Sequence, residues 1–416
     1  MKVWSASCPK ATRVLPLLIL LFPAAVASSE TVHAAPQTFP LKIADGKLDG
    51  PGAEIIRKEL GPAQFILYGE DHGFADSPII LRAIAHEARP LGFKYHVVEV
   101  GPLSTGMIGE TLERDGLPGL HQLVHDVPLG IPFLCLKEDA ELASDFLGRD
   151  SRGTPYLWGV DQEFIGSPIF HLQRLVTIAP HDIARTAADQ LLKEEREAAA
   201  KGEQAKFLLA RFHEADFSAL AAPFKGQSEA EEIIAALQES AAIYQLWMGG
   251  HNYENNARRA RLLAKNFLSR YKAAAEIEPK VIFKTGVEHV ALGTTTVNTI
   301  DLGTVATSMA KANGKTTLRI AFLPMGGHNV SFAPKPGNPA TVEPYNSAEA
   351  KDFFTAISLQ PESLSKEGWA LLPLEPIRQA LDNKGMNQLK PFSHFVLLGY
   401  DYVITTVDAK PGTSLY

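Results

Sequence analysis

Short hydrophobic runs recur along the chain, and polar segments with helical spacing lie between them. The runs are rich in β-branched and aromatic residues and cover residues 64–69, 94–100, 155–161, 280–286, 317–323 and 395–407. Short, continuously apolar runs that alternate with helices are typical of a parallel sheet whose two faces are both covered. We therefore predict an α/β fold: a mostly parallel central sheet with helices on both faces.

Two stretches depart from this alternation. Residues from about 180 to 250 are rich in Ala, Leu, Glu and Lys at helical spacing, which predicts a helical insertion or cap. Residues 324–347 are dense in Pro, Gly and Asn, which predicts a long loop. Loops of this length often cover functional sites.

The N-terminus has the features of a secretory signal peptide. Lys2, Lys10 and Arg13 precede the apolar run "VLPLLILLFPAAV", and residues 25–27 form a small-residue cleavage site. We predict a signal peptide over 1–27, a polar leader over 28–45 and a single α/β domain over 46–410. The mature protein is then periplasmic or secreted. No later run approaches the roughly 18 apolar residues of a membrane span.

Composition narrows the possible partners. The 416 residues are 45% hydrophobic and 21% charged, as in ordinary soluble proteins, and the net charge of -7 argues against a nucleic-acid partner.

Removal of the signal peptide would remove Cys8 and leave only Cys135, so we expect no intramolecular disulfide. Cys135 lies in "IPFLCL" and is interpreted as a buried small hydrophobe. The oligomeric state is left open.

Acidic residues and two histidines follow four of the predicted strands. The ligand sites of parallel sheets lie beyond the carboxyl ends of the strands, so these side chains are expected to share one site. Common alternatives are missing, because the chain has no G-x-S-x-G, H-E-x-x-H, C-x-x-C or G-x-G-x-x-G motif. The residues concerned are Glu70, Asp71, His72, Glu99, Asp161, Glu163, Glu288 and His289.

A histidine among carboxylates suits two kinds of chemistry. A carboxylate can orient the imidazole and raise its basicity, so that it deprotonates a water molecule. The same side chains can instead hold a divalent metal that activates the water. The spacing of the residues leaves both alternatives open.

Several short motifs, in this order, resemble the erythromycin esterase family. They are "GEDHG", "VVEVGP", "GVDQE", "RARLLAKNF", "KVIFKTGVEHVALG" and "YDYVITTVDA", and the resemblance extends from about residue 62 to 408. The family belongs to a larger group that includes the haem-binding ChaN-like proteins and the Tiki metalloproteases.

The resemblance implies roles for particular residues. Glu70 and His72 match the acid and base of the family's first loop, and Glu99 matches the acid after the second strand. His289 matches the last His of an H-N-x-H motif. Arg259 and Asn266 match the Arg and Asn of an R-x-x-x-M-A-x-N helix.

The chain also departs from the family pattern at three points. Only Asp71 stands between the acid and the histidine of the first loop, where the esterases usually have two residues. Gly286 replaces the first His of the H-N-x-H motif, and Leu263 replaces the Met of the helix motif.

These observations lead to one favoured hypothesis and two alternatives. In the favoured hypothesis, the protein is an exported hydrolase that cleaves an ester or related acyl bond in a small-molecule substrate. Its catalytic residues would be Glu70, His72, Glu99 and His289. Its metal content is left unknown, and no cofactor is required. The alternatives are a ChaN-like periplasmic protein that binds haem or iron and a Tiki-like peptidase that requires a divalent metal. The predicted substrate-binding residues are Asp161, Arg259 and His328.

Overall fold

The computed structural model describes residues 35–416, apart from residues 128, 332–339, 366 and 382. The predicted signal peptide and the first part of the predicted leader, up to residue 34, lie outside the described residues. Within the leader, residues 39–44 form a strand.

The strands carry the labels used below. In chain order they are β1 (Phe39–Ala44), β2 (Lys47–Asp49), β3 (Ala63–Glu70), β4 (Phe93–Val98), β5 (Leu157–Gly159), β6 (Lys280–Gly286), β7 (Thr316–Phe322), β8 (His328–Ser331), β9 (Thr341–Pro344), β10 (Trp369–Pro373) and β11 (Tyr402–Thr405).

The helices are numbered in the same way. They are α1 (Pro51–Leu60), α2 (Asp76–Ala88), α3 (Pro102–Asp126), α4 (Lys137–Ser144), α5 (Pro168–Ile178), α6 (Asp182–Lys201), α7 (Leu208–Arg211), α8 (Glu214–Ala221), α9 (Ser228–Met248), α10 (Asn252–Ala273), α11 (Val287–Val290), α12 (Leu302–Ala312), α13 (Ala348–Ala356), α14 (Glu375–Ala380), α15 (Asn383–Gln388) and α16 (Pro391–Gly399).

The central sheet is mostly parallel, which confirms the predicted fold class. Among the described residues it has nine strands in the order β2-β1-β10-β11-β7-β3-β6-β4-β5. The part from β11 to β5 is parallel, and β10, β1 and β2 extend it as an antiparallel edge. The apolar runs at 64–69, 94–100, 155–161, 280–286 and 317–323 correspond to β3, β4, β5, β6 and β7.

Helices cover both faces of the sheet. Alternate residues of each strand point to opposite faces, so each strand packs against helices on both sides. In β3, Phe65 and Leu67 pack in a core with residues of α10 and α12. Ile66 and Tyr68 pack on the other face, in a core with residues of α1 and α2. A strand buried on both faces is apolar throughout, and this explains why its sequence was recognisable.

The last apolar run, 395–407, was wrongly predicted as one strand. Its first part belongs to α16, which begins at Pro391, and β11 starts only at Tyr402. Proline is favoured at the first position of a helix, and Phe395, Val396 and Leu397 of this helix are all buried. A short buried helix has the same uniformly apolar composition as a buried strand, so periodicity could not separate them.

The helical insertion is present at the expected place, with α6, α7, α8 and α9 covering much of residues 182–248. Ile233, Leu237 and Ala241 of α9 recur at helical spacing and are buried in a core of their own with α3, α5 and α6. Cys135 is buried in this core, as its apolar sequence context predicted.

The predicted loop at 324–347 contains an antiparallel hairpin of β8 and β9. Residues 332–339 between them lie outside the described residues. The hairpin lies against the loop after β3, where the Val330 N–H donates to the Gly73 carbonyl at 2.8 Å. Gly73 has φ +94, and a Cβ there would lie 2.2 Å from the Val330 oxygen, so only glycine permits this contact.

In the part of the chain that the structure describes, no helix combines the length and the apolar character required to cross a membrane.

Candidate functional site

The carboxyl ends of β3, β6 and β4 lie side by side at one edge of the sheet. Glu70 at the end of β3 is in register with Gly286 at the end of β6, and Lys284 of β6 is in register with Val98 of β4. Residues at or just beyond these positions are therefore neighbours in space although they are far apart in sequence. Glu99, immediately after β4, lies at the same edge.

His72 is held by Glu70. Its Nδ1 lies 2.9 Å from Glu70 Oε1, and Glu70 also accepts hydrogen bonds from the Lys284 ammonium, at 2.5 Å, and from the Ser77 hydroxyl. Because an ionised carboxylate only accepts, the His72 Nδ1 carries the proton and Nε2 keeps a free lone pair in the neutral ring. The His72 side chain is 29% exposed, whereas that of Glu70 is 3% exposed.

Glu99 forms the second centre of the site. Its Oε2 accepts the Gly286 N–H at 2.6 Å, and its Oε1 accepts from Arg259 at 2.6 Å and lies 3.3 Å from His289 Nε2. The His72 Nε2 lies 3.6 Å from Glu99 Oε2, beyond hydrogen-bonding distance. A Cβ at Gly286 would lie 3.1 Å from the same nitrogen, so glycine keeps the space beside His72 open.

Two further carboxylates hold the cations of this centre in place. Asp161 accepts two hydrogen bonds from the Arg259 guanidinium, at 2.9 and 2.5 Å, a geometry that fixes the plane of the group. Asp301 lies 2.8 Å from His289 Nδ1. Asn266, two turns further along α10 than Arg259, donates to the Val160 carbonyl at 2.9 Å and ties that helix to the end of β5.

The charges around Glu70 and His72 shift the pKa values of both groups. Burial would raise the pKa of Glu70, but Lys284 and His72 outweigh it, and the pKa lies below its ordinary range. Burial would lower the pKa of His72, but the hydrogen bond to Glu70 and the charge of Glu99 raise it above its ordinary 6.5.

His289 is a buried cation at neutral pH. Burial disfavours its charged form, but the carboxylates of Glu99 and Asp301 more than compensate and raise the pKa of His289 to about 10. The pKa of Glu99 is lowered in spite of burial, because His289, Arg259 and His72 surround it. Both N–H groups of His289 therefore point at carboxylates.

Sequence reasoning missed a buried ion pair beneath the site. The Lys284 ammonium also lies 2.6 Å from Asp139 of α4, and both side chains are less than a tenth exposed. Burial raises the pKa of Asp139 although Lys284 opposes this. A lysine inside the apolar strand "KVIFKTG" was a usable signal, because an unpaired cation is not tolerated there. Nothing in the sequence pointed to Asp139.

Four residues that the sequence placed near the site lie apart from this cluster. His328 is exposed in β8, and its backbone N–H donates to a carbonyl of the C-terminal segment. Asp71 accepts a hydrogen bond from the Tyr345 hydroxyl at 2.8 Å. Glu163 accepts backbone N–H groups from the first turn of α3, and Glu288 binds a threonine in the loop before α12.

Two adjoining cavities lie beside the cluster, under α9. One, of about 240 Å³, has a polar end with Asp161, Gln162, Asn255 and Arg259. The other, of about 510 Å³, is lined mainly by apolar side chains. The helical insertion thus forms part of the wall. Both cavities are lined by Pro132, Phe133, Phe164, Tyr244 and Trp247.

Phe133 connects the cavities with the catalytic candidates. Its ring stacks on the His72 imidazole, with centroids 4.1 Å apart and planes 25° apart. Phe133 also has φ 56, a left-handed conformation that is rare for a bulky residue and that only surrounding contacts can maintain. Such strained positions are concentrated at functional sites.

Among the described residues, no group of three or more His, Cys, Asp and Glu side chains is arranged to hold a metal ion. The nearest candidates are Glu70, His72 and Glu99. Their carboxylates already accept hydrogen bonds from Lys284 and Arg259, and cations so close would oppose a metal of the same sign.

Comparisons with known proteins support the fold. The sequence matches no known family profile and no curated protein. Solved structures are similar over most of their length, however, and they include a mutant of the erythromycin esterase EreC in its open conformation, with TM-score 0.56 and 14% identity, covering 86% of this chain and 94% of that one.

Two further structures show the same similarity. One is a succinoglycan biosynthesis protein, with TM-score 0.54 and 12% identity, and the other is a protein from Bacillus cereus, with TM-score 0.53 and 13% identity. Each covers 91% of this chain and 96% of its own. The chain therefore has an erythromycin esterase-like fold.

We expect Lys284→Met to lower the free energy of unfolding by about 3–5 kcal/mol, because Glu70 and Asp139 would be left buried without their cation. The loss should shrink as the pH falls, since protonation neutralises the two carboxylates. Urea unfolding at several pH values measures both effects. The control Lys390→Met removes an exposed pair with Asp352 and should cost less than about 1 kcal/mol. Equal losses for the two variants would contradict the structural role of Lys284.

Proposed function

We propose that the protein is a hydrolase in which His72 activates a water molecule for attack on an ester or related acyl bond. The observation that carries this proposal is the arrangement of the imidazole. Its Nδ1 is bound to a buried carboxylate, while Nε2 makes no hydrogen bond to any described residue. This is the arrangement that a general base requires.

The reaction would proceed through a tetrahedral intermediate. The His72 Nε2 takes a proton from water while the water oxygen bonds to the acyl carbon. The intermediate then expels the alcohol, which receives the proton from His72 as the acyl–oxygen bond breaks. A space of about 10 Å³, lined by residues that include His72, Glu99 and Lys284, has the size of one water molecule.

Arg259 is the better candidate for stabilising the oxyanion. It lines the polar end of the smaller cavity, and its guanidinium is held rigidly by Asp161 and Glu99. The sequence hypothesis named His289 as one of the catalytic residues. His289 is almost fully buried, and both of its N–H groups point at carboxylates, so we assign it the role of holding Glu99 in place.

The larger cavity suggests where the rest of the substrate binds. It adjoins the polar end, and most of its lining is aliphatic or aromatic, so it suits an apolar group attached to the reacting bond. One of the structures with the same fold is an erythromycin esterase, an enzyme of the proposed class, and this supports the proposal that the protein is a hydrolase.

We also propose that the protein is exported. Its basic N-terminus, apolar run and small residues at 25–27 support this. Expression in a Gram-negative host should release a chain that begins at Ser28, as found by mass spectrometry. The variant Leu18→Arg, which interrupts the apolar run, should remain uncleaved in the cytoplasm. Recovery of the uncleaved chain from the periplasm would contradict the proposed cleavage.

Replacing the proposed base should remove most of the activity. We expect His72→Ala to lower kcat/KM for p-nitrophenyl esters by at least about 100-fold, because a positioned general base contributes on that scale. The control His86→Ala changes a half-exposed histidine of α2 that pairs with Asp145, and it should retain the activity of the parent. A His72→Ala variant that folds normally and keeps full activity would exclude His72 from the mechanism.

The pH dependence of kcat/KM should be bell-shaped. Activity needs neutral His72, whose pKa is raised in spite of burial, so the acid limb should lie above 6.5 and activity should fall as the pH decreases through it. Activity also needs protonated His289, whose pKa is about 10, so activity should fall as the pH rises through about 10. Steady-state rates across this range measure both limbs, with circular dichroism to verify folding.

Two variants test which ionisable group produces each limb of the pH profile. Glu70→Gln removes the carboxylate bound to His72 Nδ1 and should move the acid limb to lower pH. Asp301→Asn removes a carboxylate from His289 and should move only the alkaline limb to lower pH. An acid limb that stays in place in Glu70→Gln would mean that it belongs to another group.

A further inference from the structure

Residues 410–416, called the strap below, run across both loops that frame the site. On one side, Ala75 N–H donates to the Lys410 carbonyl and Gly412 N–H donates to the Gly73 carbonyl, each at 2.9 Å. The Lys410 N–H donates to Asp76 at 2.6 Å. These contacts are with the residues that immediately follow His72.

The other side of the strap binds the loop that carries Phe133. Lys137 N–H donates to the Thr413 carbonyl at 2.8 Å, and Leu415 N–H donates to the Cys135 carbonyl at 2.9 Å. The Glu138 carboxylate accepts both the backbone N–H and the hydroxyl of Thr413, at 2.9 and 2.7 Å. The strap therefore contacts both the His72 loop and the Phe133 loop.

The strap ends in the wall of the apolar cavity. Leu415 is buried in the core of the helical insertion, and the Tyr416 ring lines the cavity beside Leu129 and Ile131. The Tyr416 hydroxyl donates to the Ile131 carbonyl at 3.4 Å. The ring is thus fixed at its hydroxyl as well as through the backbone.

We propose that Tyr416 is a specificity-determining residue, whose ring limits the size of the apolar group that the cavity accepts and is positioned there by the strap. This inference rests on the proposed function. The Tyr416 hydroxyl is held against the Ile131 carbonyl, so the ring can move aside only by breaking that contact. Bulkier groups are therefore excluded at this wall, while the wall made by α9 and the Phe133 loop stays unchanged.

The first test compares p-nitrophenyl esters from acetate to dodecanoate. Tyr416→Ala should raise kcat/KM for the longest accepted chain relative to butanoate by about tenfold, the scale of one extra methylene contact or more in an apolar pocket. Tyr416→Trp should shift the preference to shorter chains. The control Tyr253→Ala changes an exposed tyrosine of α10 outside the cavity lining and should leave the profile unchanged. An unchanged profile in both Tyr416 variants overturns the proposal.

A second measurement needs no turnover. Calorimetry with free fatty acids of graded length should show the same shift in binding for Tyr416→Ala. If the parent protein hydrolyses no ester, the proposed function fails, and fatty-acid binding alone decides the role of Tyr416. If esters are hydrolysed but neither binding nor hydrolysis depends on residue 416, only the present inference fails.

The strap itself is tested through Cys135, which is buried beneath it. Glu138→Ala removes both hydrogen bonds to Thr413 and should increase the rate at which a maleimide labels Cys135, located by peptide mass mapping, by about tenfold. Glu141→Ala, on the same helix but outside the strap contacts, should leave labelling at the parent rate. Equal labelling of both variants and the parent would show that the strap does not depend on this contact, which contradicts its positioning role.

Discussion

The site depends on one buried ammonium group. Lys284 reaches the carboxyl edge of the sheet from within β6, and its ammonium lies 2.5 Å from the Glu70 carboxylate and 2.6 Å from the Asp139 carboxylate. Without that charge, Glu70 would be left with its hydrogen bonds to His72 and Ser77, and its pKa would rise, which favours the protonated carboxyl. A protonated Glu70 would no longer favour the Nδ1–H form of His72. The protonation of the partly buried His72 thus depends on a lysine that it does not touch.

A second group of paired charges surrounds Glu99. In this group, Arg259 and His289 are both held by further carboxylates. The two groups of charges meet at His72, which is hydrogen-bonded to Glu70 and lies 3.6 Å from Glu99. Arg259 faces the cavity, and His289 is enclosed. The cluster therefore combines a basic nitrogen with a rigid cation, and an apolar cavity lies beside it.

Much of the fold could be predicted, because strands buried on both faces are uniformly apolar and short. The same property led to the error at 395–407, where the buried helix α16 has a strand-like composition. Glu70, His72, Glu99, Asp161 and His289 came together because parallel strands end at one edge, whereas Asp71, Glu163 and Glu288 at the same strand ends bind other partners. Asp139 and Phe133 could not be predicted, because α4 and the strained loop before it reach the site only through tertiary packing. His328 lies in a glycine-rich loop, but the hairpin places it on the surface.

The order of strands has a consequence for how the chain folds. β11 lies between β10 and β7, so the parallel half of the sheet keeps a bare hydrogen-bonding edge until residues 402–405 are in place. An unpaired edge of this kind can pair with other chains. Pairing across such a long sequence separation also slows folding. A chain that emerges during synthesis therefore remains vulnerable to aggregation until residues 402–405 are available to pair.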